Sequence, residues 1–309
     1  MLHYDFHQNK LIYTDTEMLS FLSRIYMERR YLEKTSDKNL SERLDHLTIN
    51  LTELDFDGSK RFSVNNGRLA FAFIDVLEEF NLRGINYTAL IRSSFDRFEN
   101  NTKIKNYLRI ARQLIDCVGK KCLFKFTKSI YLDAIIKGET RLKLASTYNK
   151  DGFNIAVRDD ELNITHQLLN ARMITENGSE IQVKDGLLKH TAFGDYYIAC
   201  FSANIDPKLF IMFDADACLI IKNADIFSQE VLNTYLNQYK NGEILFGKIE
   251  YIDPYRYLKS KKPIEFVKTI NYEYENEFRF VAFDWIDCKE EVREIHIEMK
   301  KIEYDIIEI

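Results

Sequence analysis

The run Gly119-Lys-Lys-Cys-Leu-Phe-Lys-Phe-Thr-Lys-Ser-Ile-Tyr-Leu-Asp-Ala-Ile-Ile-Lys-Gly138 marks the point at which this chain changes character. Residues 122–126 read as a short strand. Residues 130–137 read as a helix closed by Gly138, because glycine ends helices in the left-handed conformation at little steric cost. Upstream of this run, apolar residues recur at spacings of three and four. Thr14-x-x-Glu17 opens that region as a capping box, whose hydroxyl and carboxylate satisfy exposed backbone N–H groups, ahead of Met18, Leu19, Leu22, Ile25 and Tyr26. Leu69, Phe73, Val76, Leu77 and Phe80 form one helical stripe, and Ile104, Leu108, Ala111, Ile115 and Val118 form another. The polar stretch 33–66 carries Asn-Asn-Gly and Asp-Gly turn signals and predicts loops with one short helix.

Downstream the pattern favours strands, at 141–144, 196–201, 217–221, 243–246, 277–283 and 293–299, with a helix over 225–238. The expectation is therefore an α+β chain. A helical N-terminal region spans 1–120, and a mixed α/β domain spans 121–309, where any chemistry lies.

Composition narrows the class. With 309 residues and 46% hydrophobic content, the chain can bury a core of one large or two ordinary domains. Its apolar runs, such as Cys218-Leu-Ile-Ile221, fall far short of the roughly 20 residues that span a bilayer. Met1-Leu-His-Tyr-Asp-Phe-His7 has neither the basic start nor the apolar core of a secretory leader, so a cytoplasmic protein without membrane contact is expected. The five cysteines include no Cys-x-x-Cys pair, which argues against a disulfide framework and a zinc site; no metal is expected. His166 and His190 likewise read as structural or exposed. A net charge of -5 leaves nucleic-acid binding to local patches. Two such patches exist. Lys103, Lys105, Arg109, Arg112, Lys120, Lys121, Lys125 and Lys128 form one, and Arg256, Lys259, Lys261 and Lys262 the other. They could track an RNA or DNA backbone, or simply be solvated surface.

Three segments carry the chemistry. In Lys268-Thr-Ile-Asn-Tyr-Glu-Tyr-Glu-Asn-Glu-Phe-Arg279, Glu273, Glu275, Glu277 and Arg279 alternate with a period of two, so on a strand all four face one side. Crowded carboxylates shift one another's pKa, although a charged edge strand has the same pattern. In the second segment, Lys125 and Thr127 end a strand, Ser129 opens a helix and Arg141 follows it, a set suited to phosphate or ribose. The third is the apolar strand 195–202, which delivers Ser202 to its carboxyl end. Cys200 on that strand reads as structural, with no activating group nearby.

The order of these pieces, strand-Phe-Thr-helix-Gly, an apolar strand ending in Ser, then Glu-x-Glu, resembles the scheme of ADP-ribosyltransferase-fold enzymes, especially bacterial toxins acting inside cells. Cys200-Phe-Ser202 and Tyr272-Glu-Tyr-Glu-Asn-Glu-Phe-Arg279 also resemble a poorly characterised bacterial family encountered in toxin–antitoxin and phage-defence settings. The resemblance covers about residues 121–285 and implies an ADP-ribosyltransferase-like domain that uses NAD as substrate. It makes Glu277 the catalytic glutamate, Glu275 its acidic partner, Ser202 the central-strand hydroxyl, and Lys125 with Thr127 the first-strand nucleotide contacts. Lys125 stands where such enzymes carry Arg or His. Arg141 would meet a phosphate, and Tyr131 or Tyr148 could stack on nicotinamide or an acceptor base, as could Tyr196 or Tyr197. The implied acceptor is nucleic acid, RNA favoured, or protein, with an antitoxin as a further partner.

Two other readings compete. Asp284, Asp287 and Glu298-x-Lys300 could hold Mg²⁺ in a nuclease, although an amphipathic strand explains the last pair equally well. Alternatively, a non-catalytic binding or sensor protein could use its 13% aromatic content at an interface.

Overall fold

The computed structural model describes residues 2–5, 10–13, 16–54, 60–63, 66–99, 105, 121–149, 159–240, 242–256, 260–283, 294–299 and 304–308. The capping-box Thr14, the stripe at 104–118, Lys103, Arg109, Arg112, Lys120, Lys259, Cys117, Cys288, Asp284, Asp287 and Lys300 lie outside the described residues. Among those described, no helix is long and apolar enough to cross a membrane.

The first part is helical but not only helical. Strands β1 (Leu2–Asp5) and β2 (Lys10–Tyr13) pair, and helices α1 (Thr16–Arg29) and α2 (Asp37–Leu51) follow. Next come the paired β3 (Thr52–Leu54) and β4 (Lys60–Phe62), then α3 (Gly67–Leu82) and α4 (Thr88–Asp96). The stretch 33–66 thus holds a 15-residue helix rather than loops and one short helix. Ser36 caps α2 by accepting a hydrogen bond from the Asn39 amide at 3.2 Å. Leu40, Leu44, Leu47 and Leu51, spaced four, three and four apart, bury one side of it. Their stripe is thinly spread among charged residues, which hides it in the sequence.

The second part builds a sheet from β5 (Leu123–Thr127), β6 (Glu139–Leu144), β9 (Tyr197–Ser202), β10 (Ala217–Ile221), β11 (Glu243–Lys248), β14 (Glu277–Phe283), β15 (Glu294–Glu298) and β16 (Tyr304–Glu308). Beside it stand α5 (Leu132–Ile136), the hairpin β7 (Asn163–Ile174) and β8 (Glu180–Thr191), α6 (Lys208–Met212), α7 (Ala224–Gln238), and the short pair β12 (Glu250–Ile252) and β13 (Val267–Thr269). The eight-stranded sheet is antiparallel, in the order β11-β14-β9-β5-β10-β16, with β6 joined to both β9 and β15. One edge of β9 is therefore shared. Residues 197–198 pair with β6, and Ser202 pairs with Phe124 of β5. The fold is α+β, and among the described strands only β12 and β13 pair in parallel.

Each face of the sheet has its own core. On one, Ile198 and Val281 pack with Tyr26, Leu44, Leu47, Phe73, Phe80 and Phe95 of the helical layer. On the other, Phe201, Phe280 and Ala282 pack with Phe227, Val231 and Tyr235 of α7. Helices and strands occur on both sides of the expected boundary at 120, and the first core joins residues from both sides of it.

Candidate functional site

The alternation of Glu273, Glu275, Glu277 and Arg279 does not come from one strand. Residues Ile270–Glu275 form a 3₁₀ turn, Asn276 is left-handed (φ 42°, ψ 54°), and β14 starts only at Glu277. The turn is pinned from below. Ser202, directly opposite Glu277, holds its Oγ 2.7 Å from the Glu275 carbonyl oxygen and 2.6 Å from that of Asn204, to which its single proton can donate. The Ala203 amide donates to the Asn276 carbonyl at 2.8 Å. The reversal at Asn276 swings Glu275 and Glu277 towards the same point. Glu273 points elsewhere, accepting from Arg68 and Asn66, each at 2.7 Å.

That point is Lys268, on β13. Its Nζ lies 2.9 Å from Glu275 Oε2, 3.4 Å from Glu277 Oε2, 3.6 Å from Asp159 Oδ2 and 3.7 Å from Glu161 Oε1. It also sits 4.5 Å from the centre of the Tyr272 ring. Arg279 completes the cluster. Its Nε donates to Glu277 Oε1 at 2.6 Å, and Nη1 reaches Glu161 Oε2 at 2.7 Å and the Glu265 carbonyl at 2.9 Å. The Glu277 amide donates to the Tyr251 hydroxyl oxygen at 2.8 Å, and the Tyr196 hydroxyl donates to the Glu161 carbonyl at 2.7 Å. Four carboxylates thus surround two cations. Glu275 Oε1 and Arg279 Nη2 are buried without a hydrogen-bond partner among the described residues.

Electrostatics splits the carboxylates into two kinds. Burial pushes Glu275 up to about 8, with the Glu277 charge adding to it and Lys268 only partly compensating. Burial likewise lifts Asp159 to about 7, Lys268 opposing and Glu161 contributing. Burial acts on Glu277 in the same direction, but Arg279 and Lys268 together outweigh it and hold Glu277 well below the usual carboxylate range, helped by a hydrogen bond from the Cys200 thiol. At neutral pH Glu277 is a fixed anion beside a protonated Glu275.

The structure brings together some of the residues singled out in the sequence and separates others. Glu275, Glu277 and Ser202 meet, Ser202 through backbone rather than through a ligand-facing hydroxyl. Tyr148 joins them, its hydroxyl pKa raised by burial first and by Cys200, Glu161 and Glu277 next. Lys125 and Thr127 are not brought to the carboxylates. Because Phe124 is the residue that registers with Ser202, its neighbours Lys125 and Thr127 project from the opposite face of the sheet. The Lys125 ammonium donates to the Cys200 carbonyl at 2.7 Å and lies 5.2 Å from the Phe201 ring centre. Arg141 is an exposed β6 residue bonded to Glu139 at 3.1 Å, and Tyr131 is 54% exposed beside α5; neither is part of the cluster.

Sequence reasoning missed Asp159 and Glu161 and did not place Lys268 at the centre of the carboxylates. A usable signal was present: Asp159-x-Glu161 repeats the spacing of Glu275-x-Glu277. Cys200, taken as merely structural, lies against the Glu277 carboxylate. Among the basic residues, Lys121 pairs with Asp225 and Lys128 with Asp214, both at 2.7 Å, and Arg256 pairs with Asp75. His166 and His190 meet edge to face, 5.4 Å between ring centres.

Comparison with protein families, with curated proteins and with solved structures found no match to this chain.

Proposed function

We propose that the chain is an intracellular NAD-dependent ADP-ribosyltransferase with Glu277 as its catalytic glutamate, acting as a toxin or anti-phage effector. The observation that carries this reading is the pair Glu275 and Glu277, bound to one lysine yet held in opposite protonation states. Carboxylates pushed apart in this way divide the roles of proton carrier and fixed anion. Breaking the bond between nicotinamide nitrogen and ribose C1′ sends the electron pair to the nitrogen and leaves positive charge on the sugar, as in glycoside hydrolysis. The ionised Glu277 stabilises that charge, and a preorganised anion does so without reorganising during the reaction. Arg279, Lys268 and the Tyr251 hydroxyl hold it in place. Tyr148 and Tyr196, two of the residues chosen for nicotinamide stacking, both lie beside this centre, Tyr196 bonded to the Glu161 carbonyl at 2.7 Å. Nucleic acid, RNA before protein, is the favoured acceptor, because the ion pairs of Lys121 and Lys128 are surface pairs that a polyanion displaces at little cost.

The specific observation on the other side is burial. Glu277 is 3% exposed, as expected of an ion cluster that only holds the fold together. Incubation with labelled NAD and separate pools of RNA, DNA and protein decides between them. Wild-type protein is expected to label one pool and Glu277→Gln to lose roughly 100-fold or more of that rate while retaining its fold. An inert wild type, or full activity in folded Glu277→Gln, overturns the assignment.

A further inference from the structure

We propose that Asp159 is the base that takes the proton of the acceptor, at the solvent edge of the carboxylate cluster; this rests on the transferase reading above. The group that touches an acceptor must be reachable. Of the four carboxylates on Lys268, the side chains of Glu161, Glu275 and Glu277 are 3–5% exposed, whereas that of Asp159 is 19% exposed. Asp159 is also the one without a direct role in fixing the others. Glu161 and Glu277 both grip Arg279, and Glu275 is tethered through its carbonyl to Ser202 and through Oε2 to Lys268.

Protonation is consistent with the same choice. Burial pushes both groups up, Glu275, the acidic partner that the resemblance implies, to about 8 and Asp159 to about 7, so exposure and not acidity separates them. Asp159 titrates at about 7, where a base is most effective under neutral conditions. The charged and titratable groups around Asp159 are Lys268, Glu161, Arg279, Glu277 and Glu275, with Tyr272 beside them. Lys268 spans 3.6 Å to Asp159 and 2.9 Å to Glu275, so one ammonium stabilises the anion that forms when Asp159 loses its proton.

The step balances without another reagent. The C1′–N bond breaks, and its electron pair leaves with nicotinamide. A lone pair of the acceptor oxygen or nitrogen forms the new bond to C1′. The acceptor proton passes to the Asp159 carboxylate and then to water. Asp159 and Glu277 thereby act on opposite partners of the transfer, the nucleophile and the developing cation.

The test is the pH dependence of single-turnover transfer between about pH 5 and about pH 9 for wild type, Asp159→Asn, Asp159→Glu and Glu275→Gln, with NAD binding and thermal unfolding followed alongside. Wild type is expected to rise in rate as pH passes through about 7. Asp159→Asn should bind NAD normally, lose roughly 100-fold in rate and lose the rising limb. Asp159→Glu should keep a rising limb at a displaced pH, which also serves if the Asn variant does not fold. An unchanged limb in both Asp159 variants of an active enzyme, or its loss in Glu275→Gln alone, overturns the role of Asp159 and leaves the transferase reading standing. A wild type that cleaves no NAD overturns both.

Discussion

Glu275 and Glu277 are chemically identical side chains two positions apart, and the fold gives them opposite acidities. The cause is the cations' geometry. Glu277 has Arg279 at 2.6 Å as well as Lys268, whereas Glu275 has Lys268 alone and the charge of Glu277 against it. This difference reaches into stability. Unfolded Glu275 releases its proton near 4.5, and the folded side chain holds it up to about 8. Across that window the native state binds a proton that the unfolded state has lost, so stability falls as pH rises. Asp159 acts in the same sense between 3.8 and about 7. Glu277 has the opposite sign, since its depressed pKa contributes stability that is lost only as pH falls below 4.5. Thermal unfolding at about pH 5 and about pH 8 should therefore show a smaller loss of Tm in Glu275→Gln than in wild type. Equal losses would mean that Glu275 is not protonated in the folded protein.

At the scale of elements, the site depends on one residue of irregular backbone. Asn276 at φ 42° ends the 3₁₀ turn and starts β14, and it turns a period-two pattern into a convergence of carboxylates. Asparagine tolerates this region better than most residues, and β-branched residues tolerate it least. Asn276→Val is expected to cost about 1–3 kcal/mol in denaturant unfolding, with Asn276→Gly close to neutral. A loss as large in the Gly variant would place the effect in the side chain instead of the backbone. Most strands of the main sheet were legible in the sequence because runs such as Glu277–Phe283 and Ala217–Ile221 are dense in apolar and aromatic residues. The hairpin β7–β8 was not, since its strand Glu180–Thr191 is exposed along most of its length and carries no buried stripe to announce it.

At the scale of the molecule, buried polar pairs tie the helical layer to the strands that hold the cluster. Arg43 of α2 meets Asp253 at 2.8 Å, both almost fully buried. Asp75 of α3 accepts from the Tyr31 hydroxyl at 2.6 Å and pairs with Arg256. Arg43 Nε and Nη1 already lack a hydrogen-bond partner among the described residues, so Asp253→Ala strands a buried guanidinium. We expect a loss of about 3–5 kcal/mol in denaturant unfolding, with helical and sheet probes still reporting one transition. Two separate transitions would show that the two parts fold independently. The sequence by itself determined the α+β class, most strands of the main sheet and the close spacing of Glu275 and Glu277, because hydrophobic periodicity and carboxylate spacing are local properties. Tertiary structure alone decided which face Lys125 and Thr127 occupy, that Asp159 and Glu161 converge on Lys268, and which carboxylate keeps its proton. Register across strands and the energy of burying charge depend on residues brought together from distant parts of the chain, and no local pattern records them.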